Sequence, residues 1–454
     1  MGRLAGQTDR GAANPAADRA DGLARLKTLV SPYTGVVRRV HENGRARDEA
    51  RMTVIISQMA TAAPTIGSRF EPTGGGADYA IESALGAALG EGVERYAGTC
   101  LPQSDVVFAT ASEIGPKAVR PERFALHSDD QYAEDDFPFV PFTSDTRVRW
   151  VKGWSIPDRD EVYLPLQLVY LTRPETAVPG EALIGQGSSN GMALGVSTEE
   201  ATLRGLLELI ERDALILTWT NRLTHPRLDW SRDEELANRD ARHFAPTGLR
   251  YEVLDLSVFF GVPTALGLIL GSGDTPVVWG IGAACKATVA EAWDKALREC
   301  FQTRALLRLD LIENPESCSV EADDVRSISD HAFFYARADN HPELDFLVSS
   351  DQTRETRDIP AVEGDHPSEQ IEAIAARLEA RDAFAYAVDV TTPDVEDAGL
   401  RVVHVLSPEL LPISFPHRQR FLGGRRLYEA AHQLGLRDRP FANADLNHLP
   451  HPFP

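Results

Sequence analysis

SSNGMALGVSTEEATLRGLLELIERDA, residues 188–214, is a Gly-rich turn running into a helix. Apolar residues recur at helical spacing from Thr198 to Thr220. Ser197 stands where the helix is capped, and Glu200, three residues on, completes a capping-box pattern. Inside the helix lies Glu208-Leu-Ile-Glu211-Arg212. Its two carboxylates and guanidinium, at i, i+3 and i+4, share one helical face. Leu206, Leu207, Leu209, Ile210, Leu215 and Ile216 surround it, which predicts a buried helix. Buried carboxylates need partners, and one local Arg neutralises only one of them.

The pattern recurs on both sides. Glu91-Gly-Val-Glu94-Arg95 lies in the helical stretch Ala80–Ala97, among Ala87, Ala88, Leu89 and Val93. A related copy, Glu299-Cys-Phe-Gln302-Thr-Arg304, lies in Ala287–Leu307. One such pattern is ordinarily a solvated face with local ion pairs; three in apolar helices argue for something else. Several Glu converging in a core suit hard divalent cations, with Arg left to meet phosphate oxygens. That combination fits a nucleoside triphosphate with more than one Mg²⁺. The chain has no GxxxxGK[ST] and no GxGxxG. The expected site is therefore a multi-Glu nucleotide site without a P-loop.

Further out, strand-like runs alternate with helices. The runs are Met52–Ile56, Val162–Tyr170, Tyr251–Leu254, Thr264–Leu270, Val277–Ile281, Phe384–Val388 and Val402–Val405. Further helical patterns cover Pro367–Ala380 and Arg425–Leu434. The expected fold class is α+β: mixed β-sheets with packed helices, a single catalytic body built on the repeated ExxER helices. Residues 1–25 read as a flexible leader and 26–454 as the body. The Pro- and charge-rich 310–365 region reads as a surface excursion.

Composition narrows the function. The 454 residues are 43% hydrophobic and 25% charged, ordinary for a globular chain. Lys+Arg 46 against Asp+Glu 68 gives a net charge of −22. Such a surface repels phosphate backbones and anionic lipid, which argues against nucleic-acid and membrane partners. The N-terminus has no apolar h-region. The apolar stretch Val253–Leu270 contains Asp255 and Pro263, so it reads as two core strands around a turn. Cys100, Cys285, Cys300 and Cys318 form no CxxC pair and no zinc-ligand spacing with His. Reduced thiols in a cytoplasmic protein are expected.

The chain ends Pro450-His451-Pro452-Phe453-Pro454. Alternating prolines favour an extended, PPII-like tail. Such a tail either frays, as termini usually do, or threads its carboxylate into a site.

These residues resemble the YcaO family. The 188–214 stretch looks like its central signature. SALGAALGEGVERYAG (83–98), ALRECFQTRA (296–305), HAFFYA (331–336), VDVTT (388–392) and FLGGRRL (421–427) resemble its other blocks in order. The likeness implies ATP and Mg²⁺ as cofactors and activation of a peptide backbone amide by phosphorylation of its oxygen. PHPFP resembles the PxPxP ending of the azoline-forming cyclodehydratases, which turn Cys, Ser or Thr of a ribosomally made precursor peptide into thiazoline or oxazoline. By this resemblance Glu91, Glu94, Glu200, Glu208 and Glu211 hold Mg²⁺ and phosphates. Arg95, Arg212 and Arg304 meet phosphate charge, and Ser189, Asn190, Glu299 and Gln302 join the nucleotide site. Pro450, Pro452 and Pro454 order the site, with the terminal carboxylate assisting proton transfer.

Three departures stand out, one of them Ala193 at a position where other members place a Ser. Gly74-Gly75-Gly76-Ala77-Asp78 has no Lys where many members carry GKG, and Gly195-Val196-Ser197 replaces GNS or GNT. The implied partners are the precursor peptide, an E1-like or related leader-binding protein, a flavin-dependent dehydrogenase acting on the product, and a second copy in a homodimer. PHPFP argues against thioamide or amidine formation. The full set of paired Glu and Arg argues against a non-catalytic scaffold.

Overall fold

A computed structural model describes residues 15–44, 49–61, 72–172, 174–270, 279–313 and 320–453. Its main helices are α1 (Pro15–Thr28), α2 (Ile81–Thr99), α3 (Thr198–Thr220), α4 (Val289–Glu313), α5 (Ile328–Ala336), α6 (Pro367–Glu379) and α7 (Arg425–Gln433).

The strands form three sheets. β1 (Val37–Glu42), β2 (Thr53–Met59) and β3 (Thr73–Asp78) make an antiparallel sheet in that order. Next come β4 (Val106–Ala109), β5 (Val148–Ile156), β6 (Glu161–Pro165) and β7 (Met192–Gly195). β8 (Arg227–Asp229), β9 (Tyr251–Asp255), β10 (Thr264–Ile269), β11 (Gly280–Cys285) and β12 (Thr353–Glu355) follow, then β13 (Ala385–Asp389) and β14 (Arg401–Leu406). The second sheet runs β4-β5-β13-β14-β7, with β6 paired to β5. The third runs β11-β10-β9-β8-β12, with β12 parallel to β8. β3, β7 and β11 are thus edge strands.

The three ExxER-type helices interlock these sheets. α2 packs on β2 and β3 of the first sheet and on β7 of the second. α3 lies between β7 and β14 of the second sheet and β10 and β11 of the third. α4 covers β10 and β11 and reaches β3. Leu206, Leu215 and Leu217 on α3 are at most 1% exposed. Truncating one of them to Ala costs about 2–5 kcal/mol.

β3 has the sequence TGGGAD because it lies flat on α2. A Cβ at Gly74 would come 2.3 Å from the Ala88 carbonyl oxygen, and one at Gly76 would come 2.2 Å from that of Ala84.

Several expectations need correction. The chain is helical from Pro15, and the Arg25 guanidinium donates to the Gly399 carbonyl at 2.6 Å. Leu26 and Leu29 are buried beside Leu89 and Val93. The leader boundary at residue 25 therefore falls inside a docked helix; residues 1–14 lie outside the described part. The run Val162–Tyr170 is a strand only to Pro165, where a missing N–H stops the ladder and Leu166–Val169 turns helical. Of the 310–365 region, the described residues 320–365 belong to the body, since α5 buries His331, Phe333, Phe334 and Tyr335 and β12 extends the third sheet. Cys285 and Cys300 are free and buried, and Cys100 is free and half-buried. Cys318 lies outside the described residues, as do Val277 and Val278 of one expected strand. No helix among the described residues is long and apolar enough to cross a membrane.

Candidate active site

The three sheets turn their edge strands toward one centre, and each edge gives a backbone N–H to one glutamate. Glu91 Oε2 accepts from Gly75 of β3 at 2.5 Å. Glu94 Oε1 accepts from Leu194 of β7 at 2.7 Å. Glu211 Oε2 accepts from Cys285 of β11 at 3.0 Å. Glu208 stands beside them on α3, one turn before Arg212. The Arg212 Nη2 atom lies 3.5 Å from both Glu208 Oε1 and Glu211 Oε1.

Arg95 donates to Glu91 Oε1 and to the Thr73 carbonyl, each at 2.7 Å. Glu200 closes the start of α3. The Ser197 hydroxyl accepts from Glu200 N at 3.2 Å, and Glu200 Oε2 accepts from Val196 N at 2.9 Å, one residue earlier than a capping box requires. The other Glu200 oxygen pairs with Arg204. Arg204 also donates to the Leu194 carbonyl at 2.9 Å, so α2 and α3 grip the same residue of β7. From α4, Glu299 pairs with Lys295 at 3.0 Å. A Cβ at Gly75 would sit 2.8 Å from Gln302 Nε2 and 3.6 Å from Glu91 Oε2. The bare backbone of β3 therefore brings the Gln302 amide beside Glu91.

The electrostatics tie these groups into one cluster. Glu94 is pushed up to about 7, first by burial, then by the charges of Glu208 and Glu91. Burial also raises Glu208, with Glu211 and Glu91 adding repulsion. Burial works against the Arg212 charge, but Glu211, Glu208, Glu299 and Glu91 around it raise its value overall. Lys286 is lowered to about 8 by the neighbouring Lys295 and then by burial. Lys295 is raised, chiefly by Glu299.

Sequence reasoning missed Lys295, Lys286 and Arg204. Two had local signals: Lys295 is four residues before Glu299, and Arg204 four after Glu200. Lys286 follows β11 and reaches the cluster only through the tertiary fold.

Two expected nucleotide contacts fall elsewhere. The fully buried Arg304 guanidinium pairs with Glu49, which Arg308 also meets at 2.6 Å. Arg304 is five residues from Glu299, about 140° round the helix rather than the 40° of an i+4 neighbour. The Asn190 amide clasps the Ile413 backbone, donating to its carbonyl at 3.0 Å and accepting from its N–H at 3.3 Å. Both residues therefore read as structural. Ser189 is half-buried in the turn before β7, where its carbonyl accepts from Met192 N at 3.0 Å.

Among the described residues, no three His, Cys, Asp or Glu side chains already converge as a metal-ligand set. The cluster nonetheless fits Mg²⁺ and phosphate. Glu94 and Glu208 are raised partly by like charge, which a divalent cation would offset. Arg212 Nε is buried with no hydrogen-bond partner, a donor available to an anion.

The tail is buried rather than frayed. Pro450, His451, Pro452 and Phe453 all lie inside the body, and Phe453 is 1% exposed. The Phe453 ring meets Trp219 of α3 edge-on, with centroids 6.5 Å apart. Trp219 is about 12 Å along the α3 axis from Glu211. Pro454 lies outside the described residues.

Residues 74–411 match the YcaO family, described as YcaO cyclodehydratase, ATP- and Mg²⁺-binding. The chain belongs to that family of ATP-dependent enzymes, and its cofactors are ATP and Mg²⁺. An uncharacterized protein in the tfuA 3′ region of Rhizobium leguminosarum bv. trifolii is 28% identical over 239 residues, covering 47% of this chain and 54% of that protein. An uncharacterized protein of Methanothermobacter thermautotrophicus is 27% identical over 192 residues, covering 40% and 49%. The chain thus spans about half the length of these curated relatives. Among solved structures, a heterocyclase in complex with substrate and cofactor aligns with TM-score 0.77 and 25% identity, over 96% of this chain and 57% of that one. The heterocyclase TruD aligns with TM-score 0.67 and 23% identity, over 98% and 55%. A YcaO protein from Methanopyrus kandleri, bound with AMPPCP and Mg²⁺, aligns with TM-score 0.60 and 19% identity, over 89% and 94%.

Proposed function

We propose that this chain carries out ATP- and Mg²⁺-dependent cyclodehydration of Cys, Ser or Thr in a ribosomally made precursor peptide, giving thiazoline or oxazoline rings. The observation that carries the reading is the cluster of Glu91, Glu94, Glu208 and Glu211 with Arg95, Arg212 and Lys295, set on the edges of three sheets. The buried residues Pro450, His451, Pro452 and Phe453 and the likeness to a heterocyclase support the azoline-forming variant.

In this reading Glu91, Glu94, Glu200, Glu208 and Glu211 hold Mg²⁺. Arg95 and Arg212 meet phosphate charge, and Glu299 and Gln302 border the nucleotide. Lys286 and Lys295 bring to the cluster the cations that Gly74–Asp78 does not carry. ATP with Mg²⁺ supplies the phosphoryl group that turns the amide oxygen into a leaving group. The attacking thiol or hydroxyl must lose a proton, and the carboxylate at Pro454, ordered by Pro450 and Pro452, is the group assigned to assist. An E1-like or related protein would present the precursor's leader, a flavin-dependent dehydrogenase would act on the azolines, and the cytoplasm would be the compartment. A homodimer is compatible with the reading.

Calorimetric titration with ATP, with and without Mg²⁺, tests the site, and product mass tests the reaction. Binding should require Mg²⁺ and weaken at least tenfold in Glu211→Gln. The precursor peptide, given with its leader-binding partner, should lose one water per ring. Exchange of oxygen for sulfur would replace this reading with thioamide formation. Absence of both binding and mass change, with the partner present, would leave a scaffold.

A further inference from the structure

The geometry points to α5 as the receptor for the C-terminal tail, with His331, Tyr335 and Trp219 as positioning residues that set its register. The inference rests on the proposed function only for its link to turnover. A tail with Pro at every second position lacks half of its N–H groups, all on one edge, so in an extended form only the opposite edge could join a sheet. Among the described residues the tail joins no sheet, and its carbonyls are met by side chains.

That is what surrounds the tail. Three consecutive carbonyls each face one side-chain donor. Trp219 Nε1 donates to Leu449 O at 3.0 Å. The Tyr335 hydroxyl donates to Pro450 O at 2.6 Å. His331 Nδ1 lies 2.7 Å from His451 O. The other His331 nitrogen lies 2.8 Å from Phe415 O, so the ring bridges the tail to the 414–416 loop. His451 Nε2 meets Ser414 O of the same loop at 3.0 Å.

Ring contacts select which carbonyl meets which donor. His331 stacks on His451 with centroids 3.9 Å apart and planes 14° apart. Trp219 meets Tyr335 edge-on at 5.7 Å and Phe453 edge-on at 6.5 Å. A one-residue slip would place proline where His451 stacks.

The geometry also accounts for HAFFYA, which the nucleotide site does not use. His331 and Tyr335 are its first and fifth residues, one turn apart on one face of α5, and at most 1% exposed. Ser327 caps the helix, accepting from Asp330 N at 3.3 Å. Burial keeps His331 and His451 below their ordinary values, so both rings are neutral near pH 7. A neutral His331 has one N–H, and it donates to one of its two carbonyls at a time.

Hydrogen exchange on the full-length protein tests the receptor directly. The last five residues carry only two amide hydrogens, on His451 and Phe453. Losing one hydrogen bond should speed their exchange roughly 3- to 10-fold in Tyr335→Phe. Exchange in β14 and α2 should stay as in the parent protein. His331→Gln should give a similar local rise, and if it does not fold, Tyr335→Phe decides alone. Unchanged tail exchange, or a rise spread evenly through β14, would overturn the proposal. On the same samples, ATP affinity and the KM for peptide should hold while kcat falls. A loosened tail with undiminished kcat would leave the receptor standing and refute the tail's role in turnover.

Discussion

Replacing Glu94 by Gln should make the protein more stable while emptying its metal site. The Glu94 carboxyl is buried and held near Glu208 and Glu91, which lifts it from 4.5 to about 7. At 1.36 kcal/mol per unit, keeping it ionised above pH 7 costs the metal-free fold about 3 kcal/mol. The sign follows from linkage. A carboxyl whose folded value is raised contributes stability below its unfolded value, and that contribution is lost as pH rises through the folded value. Gln keeps the shape and the acceptor for Leu194 N, and it carries no charge at any pH. Glu94→Gln should therefore melt above the parent at pH 8 and alongside it at pH 4.5, with EDTA present in both. Added Mg²⁺ and ATP should reverse the order by stabilising only the parent. Equal melting at pH 8, or an advantage that persists at pH 4.5, would refute the assignment of Glu94 to a crowded, buried carboxylate cluster.

Two further outcomes bear on the body rather than the site. His127 lies between Phe139 and Phe421, with ring centroids 5.1 and 5.2 Å away, and burial lowers it to about 4. A depressed His contributes stability above its unfolded value of about 6.5 that is lost as pH falls toward 4. His127→Phe fits the same aromatic slot, and it should remove about 2 kcal/mol of acid sensitivity, read from melts at pH 7 and 4.5. Glu49→Gln takes away the carboxylate charge that Arg304 and Arg308 share and should lower stability, read from denaturant melts. The Mg²⁺-dependent ATP affinity of the folded fraction should stay unchanged, because this pair lies outside the nucleotide cluster.

The parts legible in the sequence are those set by local chemistry. α3 has the range its periodicity predicts, Thr198–Thr220, because cap, apolar stripe and helix length all agree within one segment. Two ExxER copies mark the cluster for the same reason. β3 is invisible because its glycines are chosen for close approach to α2, and glycine carries no strand signal. Lys286 is invisible because only the third sheet brings it to Glu211 and Lys295. Arg304 misleads because the third copy reads as if i+5 shared the face of i+4. Asn190 sits in a suggestive turn, yet its partner Ile413 is distant in sequence. The tail's fate is not written in its own composition, since its donors come from α3 and α5.

The hydrogen bonds from Gly75, Leu194 and Cys285 to Glu91, Glu94 and Glu211 have a second effect. An open sheet edge offers bare N–H groups to any passing strand, and proteins usually blunt it with bulges, prolines or charge. Here the three edges that meet in the middle are stopped by the carboxylates that the nucleotide reading assigns to Mg²⁺. The groups that would draw metal also close the inner edges of the three sheets against one another. Cutting Glu91, Glu94 or Glu211 back to alanine would do more than silence a site: it would strand an inward-facing backbone N–H without its acceptor, at a cost of about 1–3 kcal/mol to the seam where the sheets meet.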